Sequence, residues 1–188
     1  MVPCLRYHDL PHRLKTVIFV YTSRILQLNH FLSPFKAGMT ETILIIGGSG
    51  AQGSAIVRVL VQTGHYSIRV LTRSTTSDAS KELAGLEGVT LIEGDSSNVA
   101  ALRSAFKDVD ACYVNTNGFA LGEKAEIYWG IRTFEIAREA GVKHYVWAGL
   151  PYVYKRSGYD PKYNTGHLDG KGRVNGMLFF ECGLWRHY

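Results

Sequence analysis

Residues 43–53 read Ile-Leu-Ile-Ile-Gly-Gly-Ser-Gly-Ala-Gln-Gly. Four aliphatic side chains in a row give way to seven positions of which four are glycine. A short aliphatic run bounded by glycine suits a strand buried on both faces, as in a parallel sheet. Glycines directly after such a strand, at the mouth of a helix, let the chain turn tightly. They also let the backbone approach a pyrophosphate with no Cβ in the way, while the helix N-terminus offers free N–H groups and a partial positive charge. The spacing Gly47-x-x-Gly50-x-x-Gly53 is a variant of the dinucleotide-binding turn. Because tight turns also use glycine for steric reasons alone, the flanking elements decide between the two readings.

Those elements alternate. Ala55, Ile56, Val59 and Leu60 lie at helical spacing within Ala51–Thr63, and Gly64 stands where a helix C-terminal cap belongs. Ser67–Leu71 reads as a second strand, Ser77–Leu86 as a second helix and Val89–Ile92 as a third strand. Val99, Leu102 and Phe106 mark a third helix, and Ala111–Val114 a fourth strand. Ile127, Ile131 and Phe134 share one face of a long helix that Gly141 ends, and His144–Trp147 is a fifth strand. This rhythm predicts an α/β fold: a Rossmann-type, doubly wound parallel sheet of at least five strands. Ligands of such sheets bind at the carboxyl ends of the strands.

The second strand bears on which dinucleotide is bound. An NAD site usually places Asp or Glu at its end, to bind the ribose hydroxyls. Here the strand closes on Arg73, and no acid follows until Asp78. An arginine clamps a 2′-phosphate through charge-assisted bonds, so NADP(H) is expected over NAD(H), although a loop arginine facing solvent has the same appearance. Asp95, after the third strand, suits either a hydrogen bond from the adenine amino group or a cap on the helix beginning near Asn98.

The 188-residue chain is 46% hydrophobic and 20% charged, enough apolar material for one domain with an appendage. The formal net charge of +5 is uneven. Residues 1–38 hold five Lys/Arg and one acid, leaving 16 basic against 15 acidic residues. The main body is therefore near neutral and has no electrostatic footprint for direct nucleic-acid binding. Residues 1–38 read as a basic, poorly ordered extension without a clear period; a mitochondrial transit peptide and an added strand or helix are alternatives. Cys4, Cys112 and Cys182 show neither zinc spacing nor a disulfide framework, and Cys112 reads as a core residue. A reducing compartment is expected, cytoplasmic and also nuclear, or mitochondrial if the extension is a transit peptide. Val17–Tyr21, the longest apolar run before residue 40, is too short for a membrane span.

The ordered motifs GGSGAQG, VLTRS, EGDSSN, DVDACYVNTN, AREAGVKHYVWAGL and HLDGKGRV, over about residues 41–174, resemble the NmrA-like family. These proteins are atypical members of the short-chain dehydrogenase superfamily. The resemblance implies an NAD(P)-binding Rossmann domain over 39–174 and a smaller helical C-terminal region. It implies either redox-responsive regulators that bind partner proteins, transcription factors among them, or true reductases. By this resemblance Gly47, Gly50, Ala51, Gln52 and Gly53 hold the pyrophosphate and Arg73 the 2′-phosphate. Asp95 lies by the adenine, Thr116 and Asn117 pass beside the cofactor, and Lys171 contacts the nicotinamide ribose.

Typical short-chain dehydrogenases carry Tyr-x-x-x-Lys on one helix face, the lysine lowering the tyrosine pKa. This chain has no Tyr-x-x-x-Lys; His167-Leu-Asp-Gly-Lys171 stands in its place, and Ala148 lies near the expected position of a catalytic serine. His167 is a candidate proton donor with Lys171, or else a hydrogen-bonding residue beside a cofactor-holding lysine. After Val174 the family pattern stops, and 175–188 reads as a divergent apolar tail. The sequence-based expectation is a truncated product that lacks most of a substrate pocket. The leading function is an NADP(H)-binding redox regulator or interaction module. The alternatives are an NADPH-dependent reductase of a small carbonyl or enone and a non-functional fragment.

Overall fold

Ile43 to Ile46 are all but fully buried, as a central strand requires. The computed structural model describes residues 15–18 and 41–181. Its strands are β1 (Lys15–Ile18), β2 (Glu41–Ile46), β3 (Tyr66–Thr72), β4 (Val89–Glu93), β5 (Ala111–Val114) and β6 (His144–Trp147). They form one sheet in the order β1-β6-β5-β2-β3-β4, every neighbouring pair parallel. From β2 the chain steps outward to β3 and β4, then returns past β2 to β5 and β6. The strand order therefore reverses between β2 and β5, which opens a crevice at their carboxyl ends.

The helices are α1 (Ala51–Thr63), α2 (Asp78–Ala84), α3 (Val99–Ala105), α4 (Gly118–Glu139), α5 (Val153–Arg156) and α6 (His167–Glu181), with a 3-10 turn at Pro161–Tyr163. Alternate side chains of each strand point to opposite faces, so both faces of β2 are apolar. Ile43 and Ile45 join Val57 and Leu60 of α1 and Leu83 of α2 in one core. Leu44 and Ile46 join Leu102 of α3, Phe134 of α4 and Val174 and Leu178 of α6 in the other. Gly64 closes α1 in the left-handed conformation, with φ 67°. Side chains of Ser77, Asn98 and Asn117 cap the starts of α2, α3 and α4. Cys112 is fully buried, and burial pushes its thiol pKa up. Among the described residues no helix is long and apolar enough to cross a membrane.

Three details differ from the sequence reading. The core-facing side of α4 is Glu126, Gly130, Thr133, Phe134 and Ala137, rather than Ile127 and Ile131. The cause is α6: a Cβ on Gly130 would sit 2.8 Å from Val174 Cγ2, and one on Gly170 3.2 Å from Glu126 Cβ. The two glycines let the helices pack closely and turn Glu126 inward. Secondly, most of the 1–38 extension lies outside the described residues, but its described piece is β1, running from Lys15 opposite His144 to Ile18 opposite Trp147. Thirdly, the domain boundary expected after Val174 falls inside a helix, because α6 continues to Glu181. Leu178, one turn beyond Val174, is fully buried beside it; Leu184 and Trp185 lie outside the described residues. Leu178→Ala should cost about 3 kcal/mol in urea denaturation. A loss under about 0.5 kcal/mol would place residue 178 outside the cooperative fold.

Candidate functional site

The crevice begins at the glycine turn. Gly47 has φ 80°, and a Cβ there would run into the Asn115 carbonyl oxygen. A Cβ on Gly53 would overlap the Gly47 carbonyl oxygen and stand 2.6 Å from Gly48 Cα. The turn is thus folded back onto the start of α1, with backbone against backbone. Gly50 donates to Gly47 O at 3.1 Å, and the first helical bond runs from Ser54 N–H to Gly50 O at 2.9 Å. No side chain caps α1 and no acid lies in its first turn. The N–H groups of Ala51, Gln52 and Gly53 precede the first helical bond and have no acceptor within the helix, the arrangement that binds phosphate oxygens. This cradle fits a pyrophosphate.

Every residue singled out in the sequence except Gly53 lines one cleft of about 1290 Å³ along the carboxyl ends of the strands. Gly53 stands behind it, as the floor of the turn. The Gln52 side chain is directed at β5: its Oε1 accepts from Asn115 Nδ2 at 3.0 Å and from Tyr113 O–H at 3.3 Å. Arg73 is exposed at the end of β3, with no hydrogen bond or ion pair among the described residues. Asp95 Oδ1 accepts from Ser97 N–H at 2.7 Å, and the capping of α3 falls to Asn98, whose Oδ1 accepts from Ala101 N–H at 3.0 Å. Of the two roles read for Asp95, the helix cap belongs to Asn98. Asn117 caps α4 at the cleft wall.

The opposite end of the cleft is built on Lys171. The residue is 8% exposed, and its ammonium bonds Glu126 Oε1 at 2.8 Å, Thr116 O at 2.9 Å, Thr116 Oγ1 at 3.0 Å and Asn115 Oδ1 at 3.3 Å. Four acceptors surround three donors. The Thr116 hydroxyl in turn donates to Glu126 Oε1 at 2.6 Å. Trp147 lies beneath, its ring centroid 4.8 Å from Nζ. Burial lowers the Lys171 pKa below 10.5, and the charge and hydrogen bond of Glu126 oppose that shift. His167, one turn earlier on α6, stacks at 4.2 Å against Phe119, whose ring is 82% exposed. Gly122 (φ 73°, ψ 167°) breaks α4 just after Phe119 and sets its first turn apart. Among the described residues no cluster of His, Cys, Asp or Glu could hold a metal ion.

Sequence reasoning placed Thr116 and Lys171 in the cleft but missed Glu126, Asn115 and Phe119. Glu126 carries no signal: it is one of several charges on an apparently amphipathic helix, and only the α4–α6 contact turns it inward.

A model of the NmrA-like family matches residues 39–178. The chain belongs to the NmrA-like family. An NmrA-like family domain-containing protein of Dictyostelium discoideum is 33% identical over 137 residues, 72% of this chain and 44% of that protein. An NmrA-like family domain-containing oxidoreductase of Aspergillus japonicus is 30% identical over 63% of this chain and 37% of that protein. Solved structures of NmrA, described as a negative transcriptional regulator, superpose with a TM-score of 0.65 at 25% identity over 78% of this chain and 44% of that one. Its complexes with NADP and with NAD superpose at 0.55 and 0.57, each at 25% identity over 66% of this chain and 37% of that one. This NmrA-like chain thus spans less than half the length of these relatives. Its fold is that of NAD(P)-binding oxidoreductases of this type.

Proposed function

We propose that the chain binds NADP(H) through the Gly47–Gly53 cradle and works as a redox-responsive regulator or interaction module. The observation that carries the binding is the uncapped start of α1, where Gly50, Ala51 and Gln52 line the cleft. NmrA, whose solved complexes hold NADP and NAD, supports a nicotinamide dinucleotide in general. Arg73 is the reason for preferring the phosphorylated form: it stands free beside the cleft where a 2′-phosphate would arrive. Asp95 sits on the same side, in reach of an adenosine. The second half of the dinucleotide then runs the other way, across the ends of β5 and β6 towards Thr116, Asn117 and Lys171. A bound nicotinamide supplies hydride exchange; the chain's residues hold and orient it. The regulator reading is favoured because the Lys171 donors are all engaged within the protein, which leaves no obvious proton donor on α6 except His167.

The second reading, an NADPH-dependent reductase of a small carbonyl or enone, is favoured by His167 and by the oxidoreductase relatives. Steady NADPH consumption with a carbonyl substrate, lost in His167→Ala, would establish it over the first. The binding itself is tested by thermal-shift titration with NADP⁺ and NAD⁺. Ligand at a hundred times its dissociation constant adds about 2.7 kcal/mol of stability. Arg73→Ala should weaken NADP⁺ about tenfold and leave NAD⁺ within about twofold. Equal weakening of both would remove Arg73 from the 2′-phosphate, and no shift with either would refute the binding.

A further inference from the structure

The buried pair of Glu126 and Lys171 has a consequence for which form of the cofactor is held. Resting on the dinucleotide reading above, we infer that Glu126 is a positioning residue. It neutralises Lys171 in the cleft wall, so that the nicotinamide end admits the oxidised, cationic ring without repulsion from the ammonium. Lys171 lines the cleft, and an ammonium there, unbalanced, would repel a nicotinamide cation while leaving dihydronicotinamide untouched. In a wall of low dielectric such repulsion is not screened as it is in water.

Glu126 supplies the balance. It is fully buried, is not itself a lining residue of the cleft, and holds Lys171 by a direct ion pair at 2.8 Å. The Thr116 hydroxyl joins the two, accepting from Lys171 and donating to Glu126, so the pair is fixed in one geometry. Glu123 pairs with Arg173 at 3.1 Å, and Asp169 Oδ2 accepts from Thr165 N–H at 2.8 Å, before the start of α6. Like Asp169 Oδ1, Glu126 Oε2 is buried with no partner among the described residues. It lies 3.3 Å from where a Gly118 Cβ would be, at the cleft-lining start of α4. One carboxylate oxygen is therefore engaged by Lys171 and Thr116, and the other lies behind the cleft-lining Gly118.

The test is the ratio of dissociation constants for NADP⁺ and NADPH, measured by calorimetry on the full chain. Glu126→Gln keeps the acceptor oxygen but removes the charge. It should raise the ratio about tenfold, by weakening NADP⁺ and sparing NADPH. The double variant Glu126→Gln/Lys171→Met removes both charges and should return the ratio to that of the unaltered chain. A merely structural salt bridge would shift both affinities together, so an unchanged ratio in Glu126→Gln, with both forms still bound, overturns the inference. If Glu126→Gln does not melt cooperatively, Lys171→Gln reads the same balance from the other side. The ratio should then fall about tenfold, and no change would again be fatal. Failure of the unaltered chain to bind either form would refute the dinucleotide reading itself, a separate result.

Discussion

Gly53→Ala is expected to abolish dinucleotide binding and to cost about 4 kcal/mol or more of stability. The substitution adds one methyl group, which on most helices would be welcome. Here the methyl has nowhere to go. It would overlap the Gly47 carbonyl oxygen and press on Gly48 Cα at 2.6 Å, and both are backbone atoms of the same turn. A flexible side chain could rotate away, but this turn cannot without unseating Gly47. Gly47 in turn is held at φ 80° against the Asn115 carbonyl oxygen. The strain therefore passes from the start of α1 to the end of β5, the two walls of the cradle. Urea denaturation reads the stability and a calorimetric titration with NADP⁺ the binding. A variant that bound NADP⁺ with unchanged affinity would show that the turn has room to move and that the cradle is not as tight as its geometry states.

Lys171→Met should cost about 4 kcal/mol, although the methionine fills much of the same space. The cost comes from what remains. Glu126 is fully buried on α4, and Lys171 is the cation it touches. Removing one partner of a buried pair strands the other charge in a medium that cannot solvate it. The double variant Lys171→Met/Glu126→Gln should recover most of the loss, to within about 1 kcal/mol of the unaltered chain, because no unpaired charge is left. The two denaturation midpoints together measure the coupling. If Lys171→Met alone cost under 1 kcal/mol, water would have to reach Glu126, and the wall at that end of the cleft would be wet.

Much of this protein is legible along its chain. The aliphatic run at 43–46, the glycines behind it and the repeated alternation of strand and helix leave little freedom. Strands buried on both faces need helices on both sides, and the parallel connection has one hand. Hence the central five strands and the start of α1 follow from local pattern. So does the placing of Gly47, Arg73, Asp95 and Thr116 at one edge of the sheet, since all four follow strand ends.

Long-range contacts decided the rest. Ile127 and Ile131 have the spacing of a core face, yet Gly130 and Gly170 let α6 approach closely and turn Glu126 inward instead. A carboxylate on a charged helix looks solvated until a cation from forty-five residues away is set beside it. The pairing of Lys15–Ile18 with β6 is likewise invisible locally, because a four-residue strand has meaning only against the edge it joins. Leu178 read as part of a divergent tail, yet the family match reaches it and α6 runs past it. Leu178 still has a core to fill, beside Val174. The sequence by itself determined the strands, the turn and the cleft they frame. Tertiary packing decided which charges that cleft keeps, because burial and pairing are properties of neighbours rather than of the chain order.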